Sequence, residues 1–477
     1  MKRIWLAGGQ ISAGFVGRTA LMNARQAESV LHPKYPPGFR TRRGLNWGFL
    51  GLLYTSFYTC RYNLSIANKA ISEEFGFSRA DMGKIITAAL LAYACGQIIN
   101  GLLTDRLGGK RAMLIGATGT VLMNICFGAA SFMGMLGLFV AIRSLDGYLQ
   151  AFGAPGMVKI NTAWFAHRER GRFSGIFGFM INLGRFGIFM LGPALLGGFT
   201  VLGLFDVPPL HWRWLFWAPS IICALVAVGM ALVVKETPEE AGFDDVIPDD
   251  APGAGIGVRA EPLEVVRTIA TNPAVWITAC AYACTGAVRQ AVDQWFPRYM
   301  QELYHVDLKS AQFQFLAFLI PFVASAGSLT AGYVSDLLFK GKRAPVAMAL
   351  YFLETTIILL AAQFHGVTAA IVFLVLISFT ANSTHSILGS AAPMDIGGRR
   401  MAGFALGVID SFQYFGGSLA GIVLGHLLDK SLGNYFYFMA PFGAIGGLLM
   451  VLSWAKFPHE QARARPVKKS EAPGVNS

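Results

Sequence analysis

Charge is scarce in this chain. Asp, Glu, Lys and Arg make up 14% of its 477 residues, against about a quarter in a soluble domain. Acid is the scarcer sign, with 27 Asp and Glu against 39 Lys and Arg. Cysteine is sparse as well: Cys60, Cys95, Cys126, Cys223, Cys280 and Cys284 all fall inside apolar runs. That placement excludes a disulfide framework and reads as small core residues. Cys280 and Cys284 share a helix face, but no His or further Cys stands near to complete a site, so no metal is expected. No nucleophile–base pair and no phosphate-cradling glycine loop occurs, so neither an enzyme nor a cofactor is expected. The net charge of +12 comes without a nucleic-acid motif, and no nucleic-acid partner is expected.

Apolar residues are abundant. They form 54% of the chain, and the mean hydropathy is +0.50. Twelve runs stand out, at about 45–71, 82–103, 111–131, 136–161, 172–198, 213–235, 273–297, 310–336, 344–363, 367–391, 401–428 and 434–456. Runs of this length cross a hydrocarbon core of about 30 Å as helices and are too long and continuous for barrel strands. The expected fold is an all-α polytopic bundle of twelve transmembrane helices, with membrane lipid around it.

The basic residues sort by connector. The first 44 residues hold eight Lys and Arg against Glu28 alone. Four short connectors are basic: Arg106, Lys110 and Arg111; Arg168, Arg170 and Arg172; Lys340, Lys342 and Arg343; Arg399 and Arg400. The alternate connectors hold Arg79, Arg298, Lys309 and Lys430. Positive residues mark the cytoplasmic side, so both termini are expected there. The N-terminal MKRIWLAGGQISAGFVGR is too short and glycine-broken in its apolar stretch for a signal peptide. Residues 1–44 read as a cytoplasmic extension and 458–477 as a tail.

The chain repeats itself. GLLTDRLGGKR at 101–111 is echoed by GYVSDLLFKGKR at 332–343, with the two glycines 231 residues apart. Between the halves, residues 236–271 are rich in acid, Pro and Gly and read as a linker. The expected domains are a six-helix lobe over 45–235 and a second over 272–457. Binding sites of repeat-built carriers lie between repeats near the midplane.

Two arginines occupy that depth. Arg61 and Arg289 lie 228 residues apart, each inside an apolar run. An arginine at the centre of a membrane helix costs about 2.5–3.5 kcal/mol on insertion scales and normally faces a cavity or a partner. Matched cations in two lobes predict one site for an anion. Tyr54, Tyr58, Arg61 and Ser65 share a helix face and form a hydrogen-bonding stripe suited to phosphoryl or carboxylate oxygens. The plainer reading is an arginine tied to a helix carbonyl or an acid. Arg143 reads as an ion-pair partner of Asp146 or as a functional residue, with Gly147 completing an RxxxG pattern.

Several motifs together resemble the organophosphate:phosphate antiporters of the major facilitator superfamily. They are YxxxYxxRxN at 54–63, FGFSRADMG at 75–83, the run from Tyr93 through Gln97 to Asp105 and Arg106, and WFAHRERG at 164–171. NLG at 182–184, ETPEEAG at 236–242, VRQAVDQWFPRYM at 288–300, FKGKR at 339–343 and YFGGSLAG at 414–421 complete the set. The resemblance implies a monomeric, multi-pass protein of the bacterial inner membrane. It also implies exchange of a phosphorylated organic anion for inorganic phosphate by alternating access. Arg61 and Arg289 match arginines that grip the phosphate from opposite lobes, and Tyr54, Tyr58 and Tyr93 match pocket tyrosines. Asp105, Arg106 and Arg111, with Asp336 in the second half and Arg143, are expected to act in the conformational change.

This chain also departs from the pattern. Tyr62 follows the first arginine where a lysine is usual, Gln97 replaces a helix 2 lysine, and Ile181 stands for a pocket histidine before Asn182. Arg185 occupies a position of small residues; it reads as a third substrate cation or as the partner of an acid such as Asp410. Asp293 and Gln294 are expected to orient Arg289 or touch substrate, with a plain ion pair the simpler reading of Asp293. Asp410 and Gln413 are candidate specificity residues, Glu354 reads as structural, and His385 is the nearest candidate for a proton role. Two other functions stay open: an ion-coupled symporter of organic carboxylates, and a transporter-like sensor of sugar phosphates.

Overall fold

The computed structural model describes residues 35–165, 170–201, 203–244, 246, 271–339 and 342–456, and for 170–177, 201, 336, 390–406 and 456 the backbone alone. Most of the expected extension 1–44, most of the linker 236–271 and the tail 458–477 thus lie outside the described residues. The first lobe contains α1 (Phe39–Phe75), α2 (Arg79–Leu107), α3 (Gly109–Ala130), α4 (Leu136–Gln150), α5 (Gly153–Trp164), α6 (Arg170–Gly197) and α7 (Trp214–Val233). The second contains α8 (Pro273–Leu303), α9 (Ala311–Leu338), α10 (Arg343–Gln363), α11 (Val367–Ser386), a π-helical turn (Ile387–Ala391), α12 (Ala392–Lys430) and α13 (Asn434–Lys456).

All twelve expected spans are helical, with three differences. The fourth is split into α4 and α5 at Ala151–Phe152. Pro155 lacks the N–H that would bond the Ala151 carbonyl, and its ring crowds that turn. The first span begins at Phe39 rather than 45. Phe39 stacks on Trp164 and meets Phe243 edge-on, and the Arg42 guanidinium donates to the Val233 carbonyl, so tertiary contacts extend the helix past its apolar run. A short antiparallel hairpin, Phe199–Val201 paired with Phe205–Val207, links α6 to α7 through Gly203 at φ 70°.

Among the described residues, eight helices are long and apolar enough to cross a membrane by composition: α2, α3, α6, α7, α9, α10, α11 with its π turn, and α13. The others, α1, α4 with α5, α8 and α12, carry Arg61, Arg143, Arg289 and Asp410. Of these, α4 and α5 are also short, at 15 and 12 residues. Leu225 and Leu329, 69% and 63% exposed, belong to the apolar outer face. Cys60, Cys223 and Cys284 are buried, but Cys95, Cys126 and Cys280 are exposed on that outer face, so only half of the cysteines are core residues.

The lobes pack chiefly through α2 against α12. Gly83 and Gly421 back onto each other with no room for a Cβ on either, a close approach that membrane helices use where lipid gives no hydrophobic driving force. Ser78 and Asp81 form a capping box at the start of α2. The Asp429 carboxylate of the other lobe accepts from the N–H groups of Arg79 and Ala80 at 2.9 Å each. Arg79 also reaches Glu302 at 2.8 Å, and Arg298 bonds Asn68 at 2.7 Å and Ser72 at 3.0 Å. These bonds seal the end of the bundle where α2 begins and α12 ends.

Candidate anion site between the lobes

Arg61 sits midway along α1 and is buried. Its Nε donates to Gln150 Oε1 at 2.9 Å and its Nη1 to the Tyr414 hydroxyl of the other lobe at 3.2 Å. The guanidinium lies over the rings of Tyr93 and Tyr58, at 4.2 and 4.7 Å from their centroids. Such faces favour a cation and leave its N–H edges free to bond in the plane. Tyr54 packs against Tyr58 at 5.4 Å. On the same helix face, Ser65 Oγ donates across the lobes to the Asp293 carbonyl at 2.8 Å.

A second layer fixes Arg61. Arg143 pairs with Asp146 at 2.7 Å, and its Nη2 donates to the Arg61 carbonyl. Gln150 bridges the two layers by donating to Asp146 Oδ1 at 2.9 Å. Arg143 thus forms the ion pair with Asp146, and the pair holds the backbone at Arg61. Arg61, Tyr93, Gln150, Gln294 and Tyr414 line one pocket, with Ile86 and Leu90 as its apolar wall.

Arg289 is buried on α8, and its Nε lies 3.8 Å from Asp293 Oδ2. Neither its Nε nor its Nη1 has a hydrogen-bond partner. Buried donors are nearly always satisfied, so this is spare capacity for an acceptor. Tyr58 and Tyr414 are electrostatic neighbours of both Arg61 and Arg289.

Arg185, fully buried on α6, does not pair with Asp410. Its Nη2 donates to Asp293 Oδ1 across the lobe interface, and its Nη1 donates to Asn182 Oδ1 at 2.9 Å. Asn182 in turn donates to Ser325 Oγ at 2.8 Å. Asp293 stands between Arg185 and Arg289, one turn along its own helix from the latter, and this geometry displaces the Asp410 alternative. Asp410 instead accepts from Gln97 Nε2 at 2.8 Å, and Gln97 also reaches the Tyr93 hydroxyl at 3.2 Å. Gln294 bonds Gln290 at 3.2 Å, and both polar atoms of Gln413 are buried without partners.

Of the expected conformational residues, Arg143 lies within this cluster. Asp105, Arg106 and Arg111 lie apart from it and are exposed. Asp105 pairs with Lys159 at 3.7 Å within its own lobe. Glu236 of the ETPEEAG motif accepts from the Gly109 N–H at 2.6 Å, placing a carboxylate at the start of α3. The side chain of Asp336 lies outside the described residues. Sequence reading passed over Gln150, Tyr414 and Tyr282. The available signal was spacing: Gln150 stands four residues after Asp146, and Tyr414 four after Asp410, each in an apolar run.

Twelve membrane spans in two lobes, closed around a buried cluster of arginines, define an integral multi-pass membrane carrier. The chain belongs to the Major Facilitator Superfamily, whose model matches residues 50–421. It is 27% identical over 424 residues to the membrane sensor protein UhpC of Escherichia coli, covering 85% of this chain and 91% of that one. It is 25% identical to the glycerol-3-phosphate transporter of Bacillus subtilis, covering 85% and 88%. It is 26% identical to the phosphoglycerate transporter protein of Salmonella typhimurium, covering 87% and 88%. Among solved structures, a bacterial homolog of the human lysosomal transporter Spinster, inward-facing and unoccupied, superposes with a TM-score of 0.70 at 16% identity. The superposition covers 89% of this chain and 99% of that one, a likeness of fold.

Proposed function

We propose that the chain exchanges a phosphorylated organic anion for inorganic phosphate across a bacterial inner membrane, as a monomer with cytoplasmic termini. The observation that carries this reading is the pair of buried guanidiniums from opposite lobes, one of which has two unused donors. Arginine's rigid fork suits phosphoryl oxygens. Tyr54, Tyr58, Tyr93 and Tyr414 add hydroxyls and ring faces. The names of the glycerol-3-phosphate and phosphoglycerate relatives support a phosphate ester as cargo.

A bound oxyanion takes the unused Nη1 edge of Arg289 on one side and the remaining N–H groups of Arg61 on the other. It thereby joins the lobes at mid-depth, beside the cross-lobe contacts of Tyr414 and Asp293. The anion shifts the carrier only by binding one state more tightly than the other. Moving a 1:99 balance to 99:1 takes about 5.5 kcal/mol of such preference. A carrier that passes through its closed state chiefly when loaded carries out exchange.

The test uses purified protein in liposomes preloaded with glycerol-3-phosphate. Rapid uptake of radiolabelled phosphate, absent from empty vesicles, is expected. Equal uptake into both discards exchange, and tight binding without uptake into either favours the sensor function named by the E. coli relative.

A further inference from the structure

One polar chain leads from the arginine cluster into the second lobe, and the exchange reading leaves it unused. The Asp410 carboxylate, bonded to Gln97 at 2.8 Å, has the Tyr282 hydroxyl of α8 as an electrostatic neighbour. That hydroxyl lies 2.5 Å from His385 Nδ1, and the two rings stack at 5.5 Å. Gly389 of the π-helical turn presses on the Tyr282 hydroxyl with no space for a Cβ, which fixes the phenol in the gap. Turns of this kind recur at functional sites. Tyr282 is fully buried, while His385 and Asp410 are half-buried, so the chain has a wet group at each end.

The charges around it do not balance for a dianion. The groups facing Asp410 are Arg61 from α1 and Arg289 from α8, with the phenols of Tyr54, Tyr93 and Tyr414. His385 faces Arg185, Arg289 and Tyr282. Three guanidiniums, those of Arg61, Arg185 and Arg289, therefore share the site with two carboxylates, those of Asp293 and Asp410. A monoanion neutralises the excess. A dianion leaves one negative charge too many in a setting that penalises uncompensated charge.

We propose that His385, Tyr282 and Asp410 form a proton-loading chain that places one proton on Asp410 when a dianionic oxyanion settles on Arg61 and Arg289. The proposal rests on the oxyanion reading of the cluster. Water delivers a proton to His385 Nε2, the Nδ1 proton passes to the Tyr282 oxygen, and the hydroxyl proton passes to Asp410 Oδ. One O–H bond forms on the carboxylate, one proton leaves the water, and His385 and Tyr282 end neutral. The reverse sequence empties the chain on release. A dianion then crosses with a proton and a monoanion without one.

The test measures proton uptake by the purified full chain in weak buffer with a pH indicator, using monofluorophosphate, which stays dianionic around neutral pH. Binding is followed in parallel by calorimetry. About one proton taken up per bound probe is expected, falling to none in Asp410→Asn. Tyr282→Phe and His385→Gln are expected to slow uptake at least about tenfold. Binding without proton uptake overturns this proposal and leaves the oxyanion reading standing; no binding at all overturns both. Undiminished uptake in Asp410→Asn, or unslowed uptake in both relay variants, also overturns it.

Discussion

The Arg143 guanidinium donates to the main-chain carbonyl of Arg61 while Asp146 holds it at 2.7 Å. A charge on α4 thus anchors the α1 backbone at Arg61, the proposed anion ligand. Arg143→Gln keeps a donor but loses the ion pair and the fork. Hydrogen bonds to charged groups contribute about 1.5–3 kcal/mol, so affinity for phosphate is expected to fall about ten- to a hundredfold by calorimetry. An affinity equal to that of the parent protein rules out the anchoring role.

Arg289 is the sharper probe of the anion itself. Its unused Nε and Nη1 belong to a planar, multi-donor group that lysine cannot reproduce. Arg289→Lys preserves charge, yet transport in liposomes is expected to drop at least about tenfold. Transport at the parental rate would show that charge alone, without geometry, holds the cargo.

The Arg185–Asp293 pair crosses the lobes in full burial. Removing one partner strands a charge, at about 3–5 kcal/mol. Arg185→Gln and Asp293→Asn should each lower the detergent melting temperature, and the double variant should recover much of that loss. Additive losses would mean the two side chains act separately.

Asp429 closes the far end by accepting from the first N–H groups of α2. Loss of a cap is worth about 1 kcal/mol, roughly a fivefold change in an equilibrium. In a cysteine-free background carrying Ile86→Cys in the pocket wall, Asp429→Ala should speed labelling by a membrane-impermeant maleimide by about that factor. Unchanged labelling means the seal lies elsewhere.

Gly286 faces the Gln413 carbonyl with no space for a Cβ. Gly286→Ala must push α8 from α12 and should destabilise the protein by about 1–3 kcal/mol in thermal unfolding. An unshifted melting curve would show that the contact yields freely.

The spans were legible because a membrane permits few alternatives: long apolar stretches must form helices. Arg61 and Arg289 were legible for the same reason, since a charge in such a stretch needs a cavity or a partner. The partner of Arg185 was not. Asp293 and Asp410 are both acids in apolar helices, and only the crossing of α6 with α8 decides between them. Pro155 marked the break between α4 and α5, yet proline is common in membrane helices, so it gave a weak signal. The role of Asp105 depends on which end of the bundle is closed, which no single residue records.

The two lobes present their arginines unequally. Arg61 arrives braced, with amide, phenol and backbone all committed to it. Arg289 waits with vacant donors beside a carboxylate already shared with another helix. Reorganisation on loading therefore falls on the second lobe, and substitutions around α8 should alter turnover while those around α4 alter affinity.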